Sequence, residues 1–264
     1  MKIIAFGTLK GGTGKTAVTF NVAGVLAEKQ RVLLIDVDPQ ANLTNNAGLD
    51  TTIQDAPSVR DIFDDAAAAT PERLITVAPI PELPNLDIIA GHIRLTATEL
   101  RLVSTPAREF IIQKWIKKNK DVLSRYDYIL IDTNPSMGLI NQNAFAAAEA
   151  VVLVSDISEE AKMGAMQFTY LWDEIREAYD LENNVAAMVL NNVDQRISQS
   201  GMLREYYEDD EEFGPILLKA YIPYRADMKR TAPNCMPINI LAPKSDACES
   251  VRAVVEELKE RGVL

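Results

Sequence analysis

The 264-residue chain is short of several things, and each shortage narrows what it can be. Its two cysteines, Cys235 and Cys248, are too few for a disulfide framework and have no metal-binding company. They read as reduced, small, partly buried side chains of a cytosolic protein. The single histidine, His92, opens a helix without a cysteine or histidine partner and is assigned no chemistry. No apolar run approaches the ~18 residues of a membrane span. The N-terminal "MKIIAFGTLK" passes straight into glycines, with none of the cleavage-like residues of a signal peptide. Basic residues are outnumbered, 27 Lys and Arg against 38 Asp and Glu, for a net charge of −11. Composition therefore argues against nucleic-acid binding unless a local basic patch is doubled by dimerisation. Repeats and low-complexity tracts are missing as well, and the proline-rich "VAPIPELPN" at 77–85 reads as a surface loop. One domain over residues 1–264 is expected.

What is present is an alternation of short apolar runs with helix-period segments. Residues 2–8, 31–37, 86–91, 126–132, 150–156, 185–193 and 215–223 read as strands, several continuously apolar as in a sheet covered on both faces. Residues 15–28, a short capped stretch from Ser58, 96–103, 107–123, 159–179 and 246–261 read as helices. Val18, Val22, Val25 and Leu26 share one face of the first, and Val251, Val254, Val255 and Leu258 one face of the last. Trp115, Trp172, Met163 and Met166 are expected to pack helices. The pattern predicts an α/β fold with a doubly wound, mostly parallel sheet and helices on both faces.

The first strand runs into "TLKGGTGKT", residues 8–16, and then a helix. A glycine-rich turn between strand and helix aims backbone N–H groups at one spot beside the positive helix end. Gly11, Gly12 and Gly14 let the chain wrap phosphates, with Thr13 and Ala17 in the same turn. Lys15 would reach the β- and γ-phosphates, and Thr16 would hold Mg2+. Two details depart from the general phosphate-loop pattern. Its first glycine is Leu9 here, and a second lysine, Lys10, has been added.

Both departures are explained by a resemblance. "KGGTGKT" at 10–16 resembles the deviant Walker A motif of the ParA/MinD family of ATPases. The resemblance implies that Lys10 crosses an ATP-dependent sandwich homodimer to the partner's phosphates, where buried negative charge needs a cation. "LLIDVDPQANLT" at 33–44 resembles the family's switch I. By that likeness Asp36 helps hold magnesium-bound water and Asp38 positions the attacking water. "YDYILIDTNPSMG" at 126–138 ends its strand on Asp132 like a Walker B segment. It then departs from the family's Pro-Pro-Ser with Asn134-Pro135-Ser136, so that switch II is expected to move differently. "VLNNVDQR" at 189–196 falls at the base-recognition strand, which implies an adenine contact at Asn191, with Pro223 flanking the base. ATP and Mg2+ are the implied cofactors, and slow, partner-stimulated ATPase activity is the implied reaction.

Within the family, the expectation is a small ParA-type ATPase that segregates a plasmid or chromosome, without an N-terminal DNA-reading domain. It would be cytoplasmic, would bind nonspecific double-stranded DNA as an ATP dimer, and would answer to a ParB-like partner. A MinD-like positioning ATPase at a membrane or protein scaffold is the alternative, followed by an ATP-dependent metabolic ligase. The tail "ESVRAVVEELKERGVL" has too little aromatic and basic character for a membrane-surface helix and reads as docked in the core. For DNA, the window holding Lys219, Arg225, Lys229 and Arg230 is favoured over the rival "QKWIKKNK" at 113–120.

Overall fold

The computed structural model describes residues 1–53, 55–194 and 199–264, with the side chains of 199–203 excepted. Seven strands form one sheet: β1 (Lys2–Gly7), β2 (Val32–Asp36), β3 (Ile75–Thr76), β4 (Leu86–Ile89), β5 (Tyr128–Asp132), β6 (Ala150–Ser155) and β7 (Val185–Leu190). Their order is β3-β4-β2-β5-β1-β6-β7, parallel throughout except for the two-residue β3 at one edge. This is the doubly wound arrangement expected from the sequence.

Alternate residues of each strand enter two separate cores. Ile3, Ala5, Ile35 and Ile129 enter one core, in which Phe145, Phe168 and Trp172 of the helices Leu139–Ala147 and Glu159–Ala178 pack edge to face. Ile4, Phe6, Leu34 and Leu130 face α1 (Lys15–Ala27) and the helix Asp246–Glu260. Val251, Val254, Val255 and Leu258 of that last helix are fully buried, as their spacing requires. They pack against α1, as does the short helix Ile238–Leu241, so α1 is buried nearly all round rather than on one face.

Three expectations are corrected. Residues 215–223 do not form a strand; they touch β7 and its extension only through isolated bridges, Met188 with Leu217 and Val193 with Pro223. Between those points the C-terminal helix takes over. Glu257 accepts the N–H groups of Lys219 and Ala220 at 2.9 and 2.8 Å, and Arg261 donates to the carbonyls of Pro215 and Leu217. The backbone is thus satisfied in two ways: Ile216, Leu218 and Ile222 bond to the backbone of Met188 and Leu190, and side chains of the C-terminal helix meet the groups at Pro215, Leu217, Lys219 and Ala220. The helix read over 107–123 is broken into a 3-10 turn at Arg108–Phe110 and helices Ile111–Lys118 and Lys120–Leu123. Met163 and Met166 do not pack: they are 61% and 49% exposed. The buried stripe of their helix is instead Ala161, Ala165, Phe168 and Trp172.

The sheet order places the functional residues. Connections leave β1 toward β2 on one side and β5 toward β6 on the other, and such a divergence opens a crevice at the carboxyl ends of the strands. In register, Phe6 lies beside Asp132 and Asp36 beside Asp132. The last residues of β1, β2 and β5 therefore stand side by side at the mouth of that crevice.

Candidate functional site

The turn after β1 leads into α1 through Gly14, whose φ of +80° is a left-handed conformation open to glycine. A Cβ here would also come 2.2 Å from the Asn191 amide nitrogen. No side chain caps the start of α1, so its first N–H groups face the crevice unclaimed. The cavity above them, about 350 Å³, is lined by Lys10, residues 11–16, Asp38, Gln40, Asn42 and Pro135.

Beneath the loop is a dense ionic cluster. The ammonium of Lys15 donates to Asp132 Oδ1 at 2.7 Å and to the carbonyl of Thr133, with the lysine 5% and the aspartate 0% exposed. Thr16 Oγ1 donates to the other oxygen of Asp132 at 2.7 Å, and Thr19 adds a bond at 3.2 Å. Asp36, one strand away, accepts from Thr44 N, Thr44 Oγ1 and Asp38 N. Burial, and next the Asp132 carboxylate beside it, push Asp36 up to about 7 against those bonds. Asp38 is raised as well, chiefly by burial, although the Gln40 N–H and the Lys15 charge oppose the shift. Asp36, Asp38 and Asp132, gathered around one lysine that is paired with Asp132, form an acidic pocket suited to a cation.

The cluster fits a magnesium nucleotide on the chain's own atoms. Thr13 Oγ1 is buried with no hydrogen-bond partner, an orphan within the very loop that would surround phosphates. The donor set of Thr16, Asp36 and Asp132 is all oxygen. Among the described residues no group of three or more His, Cys, Asp or Glu gathers to hold a metal by itself. The all-oxygen donor set suits magnesium, which takes one or two carboxylates and completes its shell with water and phosphate.

Lys10 points elsewhere. Its ammonium donates to Ser158 Oγ at 2.7 Å and lies 3.5 Å from Asp156, at the turn between β6 and the next helix. Asn191 comes to the loop, but its amide, 3% exposed, is spent on the Thr13 carbonyl at 2.7 Å. Pro223 is buried and bridges to Val193, two residues further along. Ala17 sits half-buried in the first turn of α1. The last two residues of the 189–196 segment lie outside the described residues. Arg225, Lys229 and Arg230 are exposed around the helix Ala226–Thr231, Arg230 paired with Asp227 and Lys229 lying over the Tyr224 ring. Lys219 is exposed on the preceding segment, beside the C-terminal helix.

Sequence reasoning missed Thr44, Thr19, Asp156 and Ser158. Thr44 lay within the switch I segment and Thr19 one turn beyond Thr16, so a helical reading of the loop's exit would have found the latter. Nothing local marks Asp156 and Ser158 as partners of a lysine nearly 150 residues away.

Residues 1–186 match the model of an AAA domain family (AAA_31). The chain is similar to the sporulation initiation inhibitor protein Soj of Bacillus subtilis, 29% identical, with 99% of each chain covered. It is also similar to the chromosome partitioning protein ParA of Myxococcus xanthus, 28% identical over 98% of this chain and 88% of that one. Its fold matches a crystal structure of a plasmid partition protein from Borrelia burgdorferi bound to AMPPNP. That likeness has a TM-score of 0.78 at 21% identity and covers 98% and 99% of the two chains.

Proposed function

Because this chain belongs to the ParA-type ATPases of that AAA domain family, we propose that it is a partition ATPase. In this reading it dimerises on ATP, binds nonspecific DNA in that state and releases it when a ParB-like partner stimulates hydrolysis. The observation that supports the proposal is the division of labour between two lysines of one loop: Lys15 is paired with buried Asp132, while Lys10, on the cavity rim, is held by Ser158.

Bound magnesium–ATP supplies the phosphoryl group and neutralises charge on its oxygens. The chain's own residues do the rest. Lys15 exchanges its carboxylate for a phosphate oxygen, a charge-assisted bond of the same kind. Thr16, Asp36 and Asp132 would form the oxygen set for the cation. Asp38, at the crevice wall beside Gln40, orients water. Lys10 serves the phosphates of a second copy. Asn191 braces the loop through Thr13, and its carbonyl side, with Pro223, flanks the adenine.

DNA binding falls to Arg225, Lys229 and Arg230, with Lys219 at the margin. Three phosphate contacts per subunit make about six in a dimer and a log–log salt slope near −5; a monomer would have about half of that. The test is co-sedimentation with DNA in ATP, ADP or no nucleotide. Pelleting only with ATP supports the reading. No pelleting with ATP at low salt overturns it in favour of a positioning ATPase on another scaffold, which liposome and partner-protein pelleting would then identify.

A further inference from the structure

The acidic stretch 205–212, "EYYEDDEE", has no part in the site described so far and runs against DNA binding. Its contacts give it another use. Tyr207 is 1% exposed, its ring edge-on to Phe213, and its hydroxyl reaches the turn after β6. That hydroxyl donates to the Asp156 carbonyl at 3.2 Å and shares a 2.9 Å bond with Ser155 Oγ. A second fastening lies one helical turn on. Lys162, 5% exposed, donates to the Tyr206 carbonyl, pairs with Asp210 at 2.8 Å and stands 3.3 Å over the Tyr206 ring. Residues 206–213 are thus tied at two points to the stretch that seats Lys10.

The seat itself is small and ordered. Asp156 Oδ1 accepts from the N–H and the hydroxyl of Ser158, and Ser158 Oγ in turn accepts from Lys10. Gly164, two turns into the helix, presses on the same lysine: a Cβ there would come 3.2 Å from Lys10 Cβ and 3.3 Å from its backbone nitrogen. Lys10 is therefore located by a turn that Tyr207 also holds, through the Asp156 carbonyl and Ser155 Oγ. We infer that Tyr207 is a positioning residue for Lys10, acting through the Ser155–Ser158 turn, and that the acidic segment exists to fasten Tyr207 there by way of Lys162. Losing its hydroxyl loosens the seat by the worth of about one hydrogen bond and frees Lys10 by roughly 2- to 12-fold.

The experiment is competitive amine labelling of the nucleotide-free full chain, read lysine by lysine by mass spectrometry, with Tyr207→Phe against wild type. Phe keeps the ring packed and removes only the hydroxyl. Lys10 labelling is expected to rise by that factor while Lys29 and Lys15 stay unchanged; Lys162→Met should raise it in the same direction. An unchanged Lys10 rate in Tyr207→Phe overturns the inference, and so does a rise shared equally by all three lysines. Ser158→Ala, which removes the acceptor itself, must raise Lys10 labelling and calibrates the scale. The role of Lys10 between subunits rests on the reading under Proposed function and is separable here. If Lys10 is freed but the dimer midpoint on a nonhydrolysed ATP analogue does not shift, that reading fails and the seat stands.

Discussion

Replacing Lys15 by methionine should damage the nucleotide-free protein itself, beyond any effect on nucleotide binding. Lys15 is the cation beside Asp132, and Asp132 and the neighbouring Asp36 are both fully buried. Removing one partner of a buried pair costs about 3–5 kcal/mol, because the other charge is left stranded. At roughly 2–4 °C per kcal/mol for a chain near this size, the melting midpoint should fall by about 10 °C. The loss should also depend on pH. Asp36 sits at about 7 in the folded chain, against about 3.9 unfolded. An acid raised on folding binds its extra proton between those values, so the stability it contributes is present at low pH and lost as pH climbs through 7. Without the lysine, nothing offsets the Asp132 charge that already raises Asp36, so Asp36 holds its proton to higher pH and the deficit of Lys15→Met should be larger at pH 8 than at pH 6. Adding Asp132→Asn removes the stranded charge while keeping an acceptor for Thr16. The double variant should therefore recover at least about 2 kcal/mol relative to additivity. Thermal and urea melts followed by circular dichroism, in chelator and without nucleotide, measure all four corners of the cycle. A pH-independent deficit under 1 kcal/mol, or strict additivity, would refute the electrostatic account.

Lys10→Ala should weaken ATP-driven dimerisation, seen by light scattering with a nonhydrolysed analogue, while leaving ADP affinity within about twofold; a normal dimer with normal turnover would sink it. Asp38→Ala should abolish hydrolysis by at least about 100-fold yet keep the ATP dimer, since it takes away a water-orienting group and no phosphate contact. Wild-type turnover in that variant would disqualify Asp38. Reversing charge at Arg225, Lys229 and Arg230 together should remove DNA pelleting without changing basal ATPase activity. Undiminished pelleting would move the surface to the lysines of residues 113–120.

The parts legible in the sequence were those whose signal is local. A strand that ends on aspartate is visible as an apolar run and its stop, so Asp36 and Asp132 were found, and the parallel sheet that lines them up followed from strand–helix alternation. The phosphate loop is contiguous and was read residue by residue. Phase was harder. Met163 and Met166 share helical spacing with each other, but so do Ala161, Ala165, Phe168 and Trp172, and spacing alone does not say which stripe faces the sheet. The run 215–223 has strand composition and does bond to β7 through Ile216, Leu218 and Ile222, but Glu257 and Arg261, distant in sequence, take the groups at Pro215, Leu217, Lys219 and Ala220. The seat of Lys10 was illegible for the same reason: its members meet only in three dimensions.

The enclosure of α1 by the C-terminal helix has a consequence for how the chain is made. The phosphate loop leaves the ribosome well ahead of the segments that complete the cover of α1: Pro237 and Asn239, which pack on Gly24, and then Asp246–Glu260, synthesised about 220 residues later. At about 5–20 residues per second that is a delay of roughly 10–40 s. For that interval the part of α1 that these later segments cover stays exposed on a nascent chain whose phosphate loop is already complete in sequence. The last helix thus acts as a timer on maturation. A chain stalled or cleaved before residue 246 should be degraded or held by chaperones, instead of persisting as a smaller nucleotide-binding fragment.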